Sequence, residues 1–408
     1  MLRRAPVCFV LSSLAWMASA ALAQLPPGEG PVPVSAGVLE PTPTAFSPDT
    51  VSRLSAPPGF RVSVFASDLK NVRMLQPAPG GGVYASRRDQ GDVLLLRDEN
   101  GDGRADRMRV VAQNIAFAHG LAVHANRLYI ASDKKVLAAD ILADGSLGAL
   151  QVLVDDLPDG GQHPNRTLAV GPDGWLYVTV GSTCNNCRET NPESATVLRM
   201  RLDGSGREVF ASGLRNTIGF GWHPGSGRLY GFDHGSDFRG DDVPPEELNE
   251  IQANRHYGWP WCHSDKVVDP LQVNEPPNTT KGAFCPTTQA PALTYTAHAA
   301  PIGMVFYTGT RFPEAMRGHA FVAMRGSWNR AQPSGFKVVR VAFDAAGQPQ
   351  GFEDFVTGWL APPRPEEPAG RPSQLGRLAG LAVDADGALL VADDQNGVIY
   401  RVRHDGVR

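Results

Sequence analysis

Six times along the chain, a short turn of Gly, Asn or Asp leads into a run of apolar residues, often through a Leu-Tyr or similar pair. The copies are Gly80-Gly81-Gly82-Val83-Tyr84-Ala85, Asn126-Arg127-Leu128-Tyr129-Ile130, Pro172-Asp173-Gly174-Trp175-Leu176-Tyr177-Val178, Gly225-Ser226-Gly227-Arg228-Leu229-Tyr230, Gly318-His319-Ala320-Phe321-Val322 and Asp386-Gly387-Ala388-Leu389-Leu390-Val391. Several follow another apolar run, such as Gly120-Leu121-Ala122-Val123 or Gly380-Leu381-Ala382-Val383. Apolar runs of this length bounded by turn residues read as strands. Tyr84, Tyr129, Tyr177 and Tyr230 are 45, 48 and 53 residues apart. That is the period of a four-stranded propeller blade, so the expected fold is all-β, a six-bladed β-propeller. The interval from Tyr230 to Phe321 is too long for one blade and predicts an inserted loop region around 240–300. A β-sandwich with coincidental Asp-Gly turns is the weaker alternative. Helical periodicity is scarce, and residues 245–253 read as one short helix. A propeller gathers loops from every blade at one end of its axis, so residues far apart in sequence can share a site.

The chain begins Met1-Leu2-Arg3-Arg4 and runs apolar to Ala21-Leu22-Ala23. A charged start, a short apolar stretch and an Ala-x-Ala end predict a signal peptide over 1–23 and a periplasmic or secreted protein. The stretch is too short and interrupted to span a bilayer well, and no later segment is a membrane-spanning candidate. Residues 24–50, rich in Pro, Ser and Gly, read as a flexible linker, which leaves 51–408 as a single domain. Outside the signal stand Cys184, Cys187, Cys262 and Cys285, an even count that favours disulfides in an exported chain. Nearest-neighbour pairing gives Cys184–Cys187 and Cys262–Cys285, with two other pairings open. The Cys-x-x-Cys spacing also suits redox chemistry or haem, but Arg188 stands where haem attachment wants His. The net charge of −4 gives no reason to expect nucleic acid or an anionic membrane surface as partner.

Five polar constellations sit at strand ends. Gln162-His163-Pro164-Asn165-Arg166 precedes an apolar run; a loop His with a near-neutral pKa can take a proton from a hydroxyl. Arg215-Asn216 is placed equally, an oxyanion partner with a donor beside it. The loop 233–249 is rich in carboxylates, Gly and Pro, and its oxygens suit Ca²⁺. Arg325-Gly326-Ser327-Trp328-Asn329-Arg330 and Gly376-Arg377 complete the set. Bland readings stand beside each: a surface His, blade-edge salt bridges, a solvated acidic loop. The five arginines 166, 215, 325, 330 and 377 would repel one another in a funnel unless they meet a polyanion. Separately, Asp98, Asn100, Asp102 and Asp106 place oxygens at alternate positions, as in the first part of a calcium loop, though without the distal Glu. A structural calcium or a plain Asp-Gly turn fits equally there. No Gly-x-Gly-x-x-Gly and no phosphate loop occurs, so nucleotide chemistry is unsupported.

These motifs together resemble the secreted quinoprotein sugar dehydrogenases that use pyrroloquinoline quinone (PQQ), with the sorbosone dehydrogenase-like branch nearest. The matching segments are 162–166, 181–187, Leu214-Arg215-Asn216, 240–249, Tyr257-Gly258-Trp259-Pro260, 326–330 and Val391-Ala392-Asp393-Asp394. The likeness runs from about Pro57 onwards. It implies a six-bladed propeller with PQQ over the axial funnel and Ca²⁺ against it. It implies His163 as the base that takes the sugar hydroxyl proton and Arg215 as the stabiliser of the quinone oxyanion. Asn216, Arg166, His298, Arg325, Asn329, Arg330 and Arg377 would contact the cofactor. The backbone carbonyls of Gly235 and Ser236, with water, would hold the ion, while the acidic run 241–247 shapes the loop. One departure stands out: the branch has His before Gly-Ser-Trp-Asn-Arg, and this chain has Arg325, which either adds a carboxylate contact or crowds the ring. The implied substrate is a sugar (an aldose, a sorbosone-like aldehyde or a related polyol), and electrons pass to a separate cytochrome or quinone. A calcium-dependent sugar lactonase and a non-catalytic binding propeller are the competing readings.

Overall fold

A computed structural model describes residues 37–363 and 370–406. The chain divides into Met1–Pro33 and Val34–Arg408, and all described residues lie in the second unit. The expected signal peptide and the first part of the linker fall outside the described residues.

The unit is all-β. Six four-stranded antiparallel sheets follow one another along the chain among the described residues. Their first strands are Val72–Pro77, Leu121–His124, Leu168–Val170, Phe220–Trp222, Pro301–Phe306 and Leu378–Val383. Their second strands are Val83–Arg87, Arg127–Ala131, Leu176–Val180, Leu229–Asp233, Ala320–Met324 and Leu389–Asp393. Each of the six sequence copies therefore lands on a second strand. Tyr84, Tyr129, Tyr177, Tyr230 and Phe321 are buried there. The outer strand of the last sheet, Phe60–Ala66, comes from the start of the unit and pairs with Val398–His404.

Adjacent first strands approach backbone to backbone. A Cβ added at Gly120 would lie 2.7 Å from the Arg166 carbonyl oxygen. At Gly219 it would lie 2.6 Å from that of Ile302, at Gly303 2.4 Å from that of Ala379, and at Gly380 2.5 Å from that of Arg73. Glycine is required at these positions by contact, not by dihedral angle.

The expected insertion lies between Glu246–Glu250 and Leu293–Tyr295, the third and fourth strands of the fourth sheet. It carries a two-stranded ribbon, a short helix over Lys281–Phe284 and the Cys262–Cys285 disulfide. Two expectations fail. Residues 245–253 are not a helix: Glu246–Glu250 is a strand, with Leu248 opposite Phe232 in the core. Its buried Glu246 and Glu247 are accommodated because they accept backbone N–H groups from loops, a tertiary effect invisible to periodicity. The linker does not extend to residue 50, since Thr42–Pro43 pairs in parallel with Ser373–Gln374 and a helix spans Pro48–Arg53.

Gly380→Ala is expected to cost about 1–3 kcal/mol by overpacking, read as a lowered denaturant midpoint. Gly221→Ala, whose Cβ would lie 3.5 Å from the Phe306 ring, should change stability by less than about 1 kcal/mol. Equal effects at the two positions would contradict the close-approach argument.

Candidate active site

His163 leaves the chain in a loop tied to the next strand end. Its Nδ1 lies 2.8 Å from the Ser182 carbonyl oxygen and 2.9 Å from Ser182 Oγ. A carbonyl only accepts, so Nδ1 carries the proton and Nε2 holds a lone pair. No side chain among the described residues occupies that Nε2. Burial, and then the nearby Arg215 cation, push the imidazole down to about 3, so it stays neutral near pH 7.

Arg215 is 3 % exposed. Its Nε donates to the Asn185 carbonyl at 2.8 Å, and Nη2 donates to Asn185 Oδ1 and Asp237 Oδ2, both at 2.9 Å. Nη1 has no partner among the described residues. Ser182 N–H donates to the Arg215 carbonyl at 2.7 Å, so the segment that fixes His163 also fixes the arginine. Below them, the Asp233 carboxylate accepts the backbone N–H groups of Arg215 and Asn216 and the Thr217 hydroxyl. Burial raises Asp233 to about 6 despite these donors. The Asn216 amide nitrogen lies 3.4 Å from His234 Nδ1, while His234 Nε2 donates to the Pro301 carbonyl. Asn216 Oδ1 is buried without a partner.

A second cluster faces the first within electrostatic reach, since Arg215, Arg73 and Arg325 all depress His234. Arg73 and Arg325 share one carboxylate oxygen of Asp394. Arg73 Nε also donates to His119 Nε2, whose other nitrogen donates to the Arg166 carbonyl. Arg377 donates to the Gly326 carbonyl at 2.8 Å, and burial followed by Arg325 lowers it to about 9. Two guanidiniums thus share one carboxylate with a third within electrostatic reach, and Arg377 Nε and Asp394 Oδ1 are buried without partners. A cleft of about 340 Å³ beside them is lined by Glu40, Thr42, Trp328, Arg371, Gln374 and Arg377, among others.

Several expected residues do other work. Arg166 is fully buried and each of its three nitrogens donates to a carbonyl, of Asp133, His163 and Pro158, so it braces the His163 loop. His298 donates to the Gly240 carbonyl and faces Asn329, whose amide donates to Asp237 Oδ1 at 2.6 Å. Both shape the 237–240 loop. Arg330 pairs with Asp242 at the rim. In the loop 98–106, Asp98, Asn100, Asp102 and Asp106 accept N–H groups of their own turn, which is the plain-turn arrangement. Sequence reasoning assigned no role to Arg73, His119, Asn185, His234 or Asp237. A signal existed for two of them: Arg73 and His119 occupy the strand start where Ile218, Ile302 and Ala379 stand in other sheets.

The site fits a polyanionic, carbonyl-bearing cofactor and a hard cation. Orphaned polar atoms of Asn216, Arg377 and Asp394 point to missing partners, and the arginine excess calls for anionic charge. The carbonyls of Gly235 and Ser236 receive no donor among the described residues, and oxygen ligands suit Ca²⁺.

The sheets define a protein of the propeller-like, all-β class with a polar site at its strand ends. Residues 54–405 match the TrAA12-like family, and the chain belongs to that family. The holo PQQ domain of pyranose dehydrogenase from Coprinopsis cinerea superposes with a TM-score of 0.72 at 22 % identity, covering 86 % of this chain and 97 % of that one. The calcium structure of the family AA12 enzyme of Trichoderma reesei does so with a TM-score of 0.72 at 20 % identity and the same coverage. The aldose sugar dehydrogenase YliI of Escherichia coli is 26 % identical over 171 residues, 38 % of this chain and 43 % of that protein. The expected kinship with quinoprotein sugar dehydrogenases holds.

Glu247 gives the site a pH signature. Burial, and then Asp233, raise it to about 8. The folded carboxyl therefore keeps a proton that the unfolded chain releases above about 4.5, and stability falls as pH rises through that window. Glu247→Gln should reduce the loss of melting temperature between pH 5 and pH 8.5, measured by calorimetry with chelator present. An unchanged pH slope would contradict the assignment.

Proposed function

We propose that the protein is a PQQ-dependent sugar dehydrogenase built on a six-bladed β-propeller, exported to the periplasm or secreted. The observation that carries this reading is His163 with its Nδ1 proton held on the Ser182 carbonyl and its Nε2 free, beside an arginine with an unpartnered Nη1. His163 Nε2 takes the proton of a sugar hydroxyl, and burial keeps the ring in its basic form. The Arg215 guanidinium, fixed before substrate arrives, meets the negative charge that develops as the sugar is oxidised, with the Asn216 amide beside it. When bound, PQQ supplies the quinone that accepts hydride, and Ca²⁺ polarises its carbonyl. Arg325, Arg377 and Asn216 would hold the cofactor, and the Gly235 and Ser236 carbonyls the ion. Arg325, which stands where the resembled branch has His, pairs with Asp394, and that pairing would hold it clear of the cofactor ring.

The sugar class is supported by the rim. Phe238 and Trp328 pack edge to face at 5.5 Å, and both are exposed next to Asp237 and Asn329. Apolar rings beside a few placed polar groups suit a pyranose better than a charged polymer. Electrons then leave to a separate cytochrome or quinone. Among the described residues no helix is long and apolar enough to cross a membrane.

Apoprotein given PQQ and Ca²⁺ is expected to reduce a dye with aldoses. His163→Asn should lower turnover by about 10²–10⁴-fold while the PQQ absorbance titration stays within about threefold. Absence of PQQ binding at micromolar concentration contradicts the reading. So does hydrolysis of sugar lactones by metal-loaded, quinone-free protein.

A further inference from the structure

The Cys184-Asn185-Asn186-Cys187 loop is closed by a disulfide and lies against the site from the side of the insertion. Its two asparagines divide between two neighbours. Asn185 turns to the site: its carbonyl and its Oδ1 both accept from Arg215. The same Oδ1 accepts the Asp237 N–H at 2.7 Å, and Nδ2 donates to the Asp237 carbonyl at 3.0 Å. Asn186 turns the other way. Its Nδ2 donates to Asp269 Oδ2 at 2.7 Å and reaches Ser236 Oγ, and its Oδ1 accepts from Gln272. Asp269 in turn binds Arg239.

The loop also touches the base. Ser182 Oγ donates to the Cys184 carbonyl at 2.7 Å and receives the His163 Nδ1 proton together with the Ser182 carbonyl. One four-residue ring thus connects His163, Arg215, the 235–237 loop and the insertion. Arg215 makes three of its side-chain hydrogen bonds in the described residues, and two of them go to Asn185. Its Nη1 stays free only if the other two nitrogens are held.

We infer that Asn185, held in place by the Cys184–Cys187 disulfide, is the positioning residue for Arg215. It fixes the guanidinium plane through a carbonyl and an amide oxygen, so that Nη1 faces the reacting centre. The disulfide keeps the two asparagines pointing in opposite directions. This inference rests on Arg215 acting at the reacting centre, as proposed above. The second disulfide, Cys262–Cys285, serves the insertion and has no such role; Cys285 is fully buried beside Trp261.

The test is a double-mutant cycle on the PQQ- and Ca²⁺-loaded full chain. Asn185→Ala is expected to lower kcat by about 10–100-fold with KM for the sugar changed by less than about threefold. In an Arg215→Ala background the same substitution should cost less than about twofold, because the partner it positions is gone. The Cys184→Ser, Cys187→Ser double variant should lower kcat in the same direction, whereas Cys262→Ser, Cys285→Ser should alter stability and leave kcat within about twofold. In apoprotein, independently of turnover, the Arg215 Nη2–H NMR signal, whose partner is the Asn185 side-chain oxygen, should exchange slowly in the parent and rapidly in Asn185→Ala. An equal loss of kcat from Asn185→Ala in both backgrounds overturns the inference, as does an unchanged Arg215 signal. If Arg215→Ala alone leaves kcat intact, the underlying assignment of Arg215 fails instead, which is a separate outcome.

Discussion

A guanidinium that keeps its charge while almost wholly removed from water is the constraint around which this site is built. Arg215 is 3 % exposed, and a buried charge must have its donors met or it destabilises the fold. Asn185 and Asp237 meet them on one side, and Asp233 holds the backbone of the same residue from beneath. The cation then sets the state of its neighbours. Burial and this cation keep His163 and His234 neutral, the state the proposed role of His163 as a base requires. His163 and Arg215 form one electrostatic unit, and Ser182 joins them by hydrogen bonds and lies close in sequence to the Asn185 loop.

The sheets make that unit possible by bringing strand starts together. Glycines on the first strands permit backbone contact between neighbouring sheets, so the loops before those strands crowd into a small volume. The same geometry gathers Arg73 and Arg325 on a single carboxylate, Asp394, with Arg377 within electrostatic reach of it. Such an excess of positive charge is costly in an empty site and useful in one that receives an anion. On the proposed function, this unpaired charge stands where the anionic cofactor would bind.

Much of the fold was legible because the signal repeats. The turn-to-strand motif recurs six times, and every copy falls on a second strand, where the buried Tyr or Phe anchors the sheet. The helix expected over 245–253 failed because Glu246 and Glu247 look solvent-seeking in sequence but are sheltered by donors from Gly235, Ala300 and Ser264, residues that only the fold brings near. Residue type and strand-end position singled out His163 and Arg215, and the structure brings these two together through Ser182. Arg166 misled for the same reason: an arginine at a strand end looks like a ligand until its three carbonyl partners are visible. Asn185 was hidden because an asparagine between two cysteines has no chemistry of its own. Its role exists only through the contact it makes.

The central claim is that His163 is a neutral base whose pKa is held far below that of a free imidazole. Single-turnover reduction of the bound quinone by an aldose, followed by absorbance as a function of pH, tests it most directly. With His163 at about 3, the rate should stay level from about pH 5 to pH 8. A rate that falls on acidification with a midpoint near the ordinary imidazole value of about 6.5 would contradict the account.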